Sequence, residues 1–311
     1  MNIGFLSQQI DARGTGNALY NYAHYNEEIL GNKSSIYTLA SSFDRHDTGA
    51  LDYFKKRFGY INYISDGFSK LDALYHIKSG YNDGFNPGLP YLVHSVFDNE
   101  PHGTVYATVS PWMGTCFNLP FVPHVVDCFP TNDNLRNELG IPSGAVVFGR
   151  YGGADSFDIP WVWDVINDVL LERNNVYFIF MNTNYPDEFI NEWIGLEFNI
   201  RFLNSTVDPY EKRRFINTCD AFLHARQRGE TFGLSVGEFA IAGKPIITYS
   251  ESPEKAHLQE LGPFALTYKN EFTLKQQLDK VMAGPLVSWG YGQYTPENVM
   301  KKFKQVFLEG L

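Results

Sequence analysis

Between residues 145 and 249 short apolar runs alternate with amphipathic stretches, and few folds accept that pattern. Strands are expected over 145–149, 176–181, 200–203, 221–224 and 245–249, with helices over 159–171, 187–193, 208–218 and 235–242 between them. Periods near 2 and near 3.6 in strict succession describe βαβ units. Their crossovers are right-handed, so the strands form a parallel, doubly wound sheet. Ligands of such a sheet sit beyond the carboxyl ends of its strands.

The first half repeats the pattern less regularly. An apolar strand over 2–6 is followed by Gly14-Thr15-Gly16, read as a loop, and then by an amphipathic helix carrying Leu19, Tyr22, Ala23, Ile29 and Leu30 on one side. Gly31-Asn32 stops that helix. Apolar runs over 35–39, 60–64, 73–77, 91–94 and 105–109 suggest a first parallel sheet. A turn-rich passage over 121–143, with Pro123, Pro130, Pro142 and a short helix expected near 133–139, separates the halves. At 311 residues the chain exceeds one ordinary core. The expected division is an N-terminal domain over 1–125, a C-terminal domain over 126–295, and a last helix over 296–311 that crosses back to the first domain.

A net charge of −10 argues against a nucleic-acid or anionic-membrane binder, which needs excess Lys and Arg. The three cysteines, Cys116, Cys128 and Cys219, are odd in number and far apart, so neither a disulfide framework nor a zinc site is suggested. The first residues lack the plan of a signal peptide, and nowhere do about 18 apolar residues run together. A cytoplasmic protein without a transmembrane segment is expected.

The chemistry concentrates in Arg226-Gln227-Arg228-Gly229-Glu230-Thr231-Phe232-Gly233-Leu234-Ser235-Val236-Gly237-Glu238, which follows a strand and opens a helix. If it were all helix, each glycine would cost about 1 kcal/mol, so a loop running into a helix is the better reading. Amides around Phe232, Gly233, Leu234 and Ser235 then point out of a helix N-terminus, where unpaired donors and the dipole favour a diphosphate. Glu230 lies before that helix and Glu238 in its first turns. Carboxylates accept two hydrogen bonds from a ribose diol or sugar hydroxyls.

This segment, with Ala-Ile-Ala-Gly-Lys-Pro-Ile-Ile-Thr after it and Cys-Asp-Ala-Phe-Leu-His-Ala before it, resembles the retaining glycosyltransferases of family 4. The resemblance implies the GT-B architecture: α/β, two Rossmann-like doubly wound domains facing a central cleft, the first on the acceptor side and the second binding the nucleotide sugar. It implies that Glu238 holds the ribose hydroxyls, Glu230 the donor sugar, and Thr231, Phe232, Gly233, Leu234 and Ser235 the phosphates and sugar. Val147-Phe148-Gly149-Arg150 is similar to the family's Gly-Arg strand end, making Arg150 a diphosphate ligand. The lysine that the family places a few residues later is absent from 151–160, and Arg226 or Arg228 is the candidate replacement. Gly14 and Gly16 resemble the first-domain glycine loop, and His94 a histidine that contacts the sugar.

The implied reaction transfers a sugar from a UDP- or GDP-linked donor to a carbohydrate or glycoconjugate acceptor, with retention. Glu230, His94 and Arg150 carry the catalytic roles in that reading. No Asp-x-Asp pair occurs, so no metal is expected, nor any cofactor. Three other readings stay open: a nucleotide-sugar epimerase, a noncatalytic binder, and a serine hydrolase. The last rests on Gly233-Leu234-Ser235-Val236-Gly237 with His257 downstream, although an elbow would need its serine at a strand tip.

Overall fold

The structure is a computed structural model that describes residues 1–39, 46–184 and 199–311. It divides into two compact units, one of Met1–Asp127 with Gln293–Leu311, the other of Cys128–Gly292. The helix expected near 187–193 lies outside the described residues.

In chain order unit 1 contributes β1 (Asn2–Ser7), α1 (Gly14–Glu28), β2 (Lys33–Thr38), α2 (Thr48–Phe58), β3 (Ile61–Tyr63), β4 (Ala73–Lys78), β5 (Tyr91–Ser95), β6 (Val105–Thr108) and α3 (Pro111–Phe117). Its sheet runs β3-β2-β1-β4-β5-β6, all parallel. Unit 2 contributes β7 (Val146–Tyr151), α4 (Trp161–Glu172), β8 (Val176–Met181), β9 (Ile200–Leu203), α5 (Pro209–Thr218), β10 (Ala221–His224), β11 (Gly229–Glu230), α6 (Leu234–Ile241), β12 (Ile246–Tyr249), β13 (Glu254–Lys255), α7 (Ala256–Leu261), β14 (Ala265–Tyr268) and α8 (Glu271–Ala283). Its six-stranded sheet, read from the β9 edge, is β9-β8-β7-β10-β12-β14, again parallel. Both sheets therefore have the Rossmann strand order, which reverses between β1 and β4 in one unit and between β7 and β10 in the other. Then α9 (Pro296–Phe303) and a π-helical turn over Lys304–Leu308 complete unit 1.

The sequence explains the packing of unit 2. Along β7, Phe148 joins Trp163, Ile166, Phe178 and Phe180 under α4, whereas Gly149 faces the opposite side. A Cβ at Gly149 would overlap Cys219 Sγ, so the glycine of the Gly149-Arg150 pair lets the end of α5 reach the sheet. On that side the rings of Phe222 and Phe239 meet between β10 and α6, with centroids 4.5 Å apart and planes tilted by 38°. Asp208 caps α5 by accepting from the Tyr210 amide, and Pro209 fills its first position.

Unit 1 is closed by the end of the chain. Phe303 lies 5.4 Å from Tyr22, 5.3 Å from Tyr75 and 6.4 Å from Phe5, measured between ring centroids.

Two expectations are corrected here, and His94 is placed. The Gly14-Thr15-Gly16 loop is the first turn of α1 itself, and Gly16 is small because a Cβ there would overlap the Asp11 carbonyl. The short helix near 133–139 is a single turn closed by Leu139 N–H to the Leu135 carbonyl. His94 is fully buried: its Nδ1 lies 2.6 Å from the Tyr75 hydroxyl, and its Nε2 faces the carbonyls of Thr108 at 3.2 Å and Val122 at 2.9 Å. Two carbonyls accept from one nitrogen, so Nε2 carries the proton and Nδ1 accepts from the tyrosine. Burial holds its pKa down to about 4. Both nitrogens are satisfied inside unit 1.

Candidate functional site

The strand order of unit 2 reverses between β7 and β10, and the carboxyl ends of those strands carry Arg150 and His224. The loops that follow them are tied together. Asp158 N–H donates to the Ala225 carbonyl at 2.9 Å, and Gln227 N–H donates to Asp158 Oδ1 at 2.7 Å.

The loop after β10 bends twice on glycine. Gly229 has φ 81° and lies against the Glu254 carbonyl, with the two-residue strand β11 pairing parallel to β13. Gly233 has φ 85°, a left-handed value that favours glycine, and ends the loop as the N-cap of α6. No side chain caps this helix. Tyr291 supports the turn from below. Its hydroxyl, on a fully buried side chain, donates to the Phe232 carbonyl at 2.5 Å, and its ring occupies the space that a side chain at Gly237 would need.

Glu230 is held from two sides. Its Oε2 accepts from Arg226 Nη1 at 2.8 Å and its Oε1 from His224 Nε2 at 3.1 Å. Burial favours the neutral acid, but Arg226 and His224 overcome it and bring the carboxyl down to about 2. Because a carboxylate only accepts, His224 Nε2 carries the proton. On the other side of that ring Nδ1 lies 2.9 Å from Thr248 Oγ1, and Thr248 Oγ1 lies 3.0 Å from His257 Nε2. With neutral rings the hydrogen bonds run one way: His257 donates to Thr248, Thr248 to His224, and His224 to Glu230. Replacing Thr248 by valine keeps the shape but leaves two buried imidazole nitrogens unpaired. We expect a loss of roughly 1–3 kcal/mol in urea unfolding.

Glu238, in the middle of α6, is 7% exposed, and its Oε1 lies 3.3 Å from Lys212 Nζ of α5. The Cys128 thiol donates to the Glu238 carbonyl at 3.5 Å.

The structure thus gathers Glu230, Thr231, Phe232, Gly233, Leu234, Ser235 and Glu238 around the start of α6, with Arg150 near enough to Glu230 to feel its charge. Arg150 is held by the protein's own oxygens. It is 3% exposed, and its guanidinium donates to the carbonyls of Asn182 at 3.2 Å and Gly153 at 2.7 Å, to Ser156 Oγ at 2.7 Å and to Thr183 Oγ1. Burial lowers its pKa to about 10, still well above neutrality. Its terminal nitrogens brace the loops after β7 and β8. Arg228 is half exposed and turned to Glu254 at 2.7 Å, and Arg226 belongs to Glu230. Gly14, Gly16 and His94 lie in unit 1. His257, the histidine of the hydrolase reading, has its Nε2 engaged by Thr248 Oγ1 at 3.0 Å.

Sequence reasoning missed His224, Thr248, Lys212 and Tyr291. His224 alone left a signal, as the polar last residue of an apolar strand that ends at the site. Among the described residues no group of three or more His, Cys, Asp or Glu side chains is placed to hold a metal ion, and no helix is long and apolar enough to cross a membrane.

No protein-family model and no curated protein matches this sequence. Among solved structures the chain is similar to HepE of Anabaena in complex with UDP-glucose, at 16% identity and TM-score 0.69, over 99% of this chain and 95% of that one. It is also similar to a glycosyltransferase of Rickettsia africae, at 11% identity and TM-score 0.63, over 98% and 94% of the two chains. WaaG, a glycosyltransferase involved in lipopolysaccharide biosynthesis, matches at 11% identity and TM-score 0.61, over 99% and 95%. Likeness over nearly the whole length of each chain establishes the architecture: an α/β protein of the GT-B type, with two Rossmann-like units.

Proposed function

We propose that this protein is a cytoplasmic, metal-independent glycosyltransferase of the family 4 type, moving a sugar from a nucleoside-diphosphate donor to a carbohydrate or glycoconjugate acceptor with retention. The observation that carries the reading is the uncapped start of α6, bracketed by the carboxylates of Glu230 and Glu238 at the strand-order reversal of a Rossmann sheet. The amides there receive the diphosphate, Glu238 accepts from the ribose hydroxyls, and Glu230 accepts from the donor sugar. As the bond to the anomeric carbon breaks, charge grows on the leaving phosphate, where fixed amide dipoles stabilise it without reorganising. The leaving phosphate takes the acceptor's proton. Arg150 keeps the surrounding loops in place.

The solved structures with UDP and UDP-glucose bound to HepE support a uridine donor for a chain of this fold. Free cysteines throughout agree with a reducing compartment.

The test is calorimetry with UDP, GDP and ADP, without metal and with EDTA present, on wild type and Glu238→Ala. One nucleotide should bind, and the substitution should weaken it by about 100-fold, as expected for losing two hydrogen bonds to a charged acceptor. Folded protein that binds none of the three sinks the nucleotide-sugar reading. Release of an altered sugar nucleotide without acceptor would make the protein an epimerase, and binding without turnover a noncatalytic binder.

A further inference from the structure

Of the cations Arg150, Arg226, Arg228 and Lys212 near the candidate site, the three arginines are well matched. Arg150 is surrounded by protein oxygens, Arg226 lies 2.8 Å from Glu230, and Arg228 lies 2.7 Å from Glu254. Lys212 is not. Its side chain is 12% exposed, and its Nζ stands 3.3 Å from Glu238 Oε1, a long distance for an ion pair taken out of water. Burial lowers its pKa to about 8 although Cys128 and Asp208 nearby oppose the fall. A buried ammonium so weakly compensated gains more than its neighbours from an arriving anion.

Its position suits that anion. Helices α5 and α6 both start at the carboxyl edge of the sheet, and Lys212 is near the start of α5. Glu238 lies one helical turn, about 6 Å, beyond Leu234 at the opening of α6. The stretch 151–160, which begins at the last residue of β7, contains no lysine.

We propose that Lys212 is the phosphate-binding cation of the donor site, resting on Glu238 until the ribose hydroxyls take that carboxylate. The assignment rests on the nucleotide-sugar reading above. It describes an exchange of partners: two hydroxyls replace the ammonium at Glu238, and the ammonium, on its flexible four-carbon stem, turns to the diphosphate. A lysine from α5 would thus do what the loop after β7 cannot.

Calorimetry with UDP and with uridine separates this role from simple support of Glu238. Lys212→Met should weaken UDP by about 10-fold or more and leave uridine within about twofold, and Lys212→Arg should recover most of the loss. Parallel weakening of UDP and uridine, or unchanged UDP, overturns the assignment. If Lys212→Met does not fold because it strands the Glu238 carboxylate, the comparison moves to Glu238→Gln with and without Lys212→Met. A further fall in UDP affinity supports the assignment, and equal affinities overturn it. Wild type that binds neither UDP nor GDP removes the nucleotide-sugar reading itself, whereas wild type that binds UDP as tightly as Lys212→Met removes this one alone.

Discussion

Replacing Glu230 by glutamine lowers transfer turnover by about 10²- to 10³-fold while UDP affinity changes by no more than about threefold. Glutamine keeps the size of the side chain and one acceptor, so the loop need not collapse. What disappears is the charge that Arg226 and His224 hold in place at 2.8 and 3.1 Å. Glu238, which faces the ribose in this reading, is untouched, so ground-state nucleotide binding survives. Turnover is read with a labelled sugar nucleotide, and UDP affinity by calorimetry. A Glu230→Gln enzyme as fast as wild type would remove the carboxylate from the reaction.

The same substitution has a signature in stability. Glu230 ionises at about 2 in the folded protein, against 4.5 for an unperturbed glutamate. Its folded value is depressed, so its stabilising contribution is full above about pH 4.5 and disappears as pH falls towards 2. The difference amounts to roughly 3 kcal/mol. Over that window wild-type stability should fall more steeply than that of Glu230→Gln, which cannot titrate there. Parallel curves from denaturant unfolding would mean that Arg226 and His224 do not grip the carboxylate.

Much of unit 2 was readable because its local and global signals agree. Asp208-Pro209 marks a helix start by itself, and the continuous apolar run at 176–181 fits a short strand buried on both faces. The carboxylates Glu230 and Glu238 were visible because a glycine-rich turn and a helix lie between them in sequence. Their partners were not. Lys212 sits among Glu211, Arg213 and Arg214, and nothing in that charged stretch distinguishes the one lysine turned inward. Tyr291 and Thr248 reach the site through tertiary packing, which no local period records. The protein partners of His94 and Arg150 were hidden for another reason: a polar residue at the end of a strand can meet a ligand or the protein's own carbonyls, and the sequence is the same in both cases.

Phe303→Ala should destabilise unit 1 by about 3–5 kcal/mol, although the residue lies close to the end of the chain. The ring is fully buried and fills the space between Phe5 of β1, Tyr22 of α1 and Tyr75 of β4, with Phe307 5.2 Å away. These partners come from the central strands at the strand-order reversal and from the helix that covers them. Truncation there leaves a cavity bordered by the Tyr75–His94 hydrogen bond, which rigid strands cannot collapse to fill. Hydrogen exchange is the sensitive measure, since it reports each unit separately. Amides of β1, β4 and β5 should exchange faster in the variant while those of β7, β8 and β10 keep wild-type protection. Unchanged protection across β1 and β4 would mean that unit 1 closes its core without the last helix. The C-terminal segment would then be a passenger on that unit, not the element that completes it.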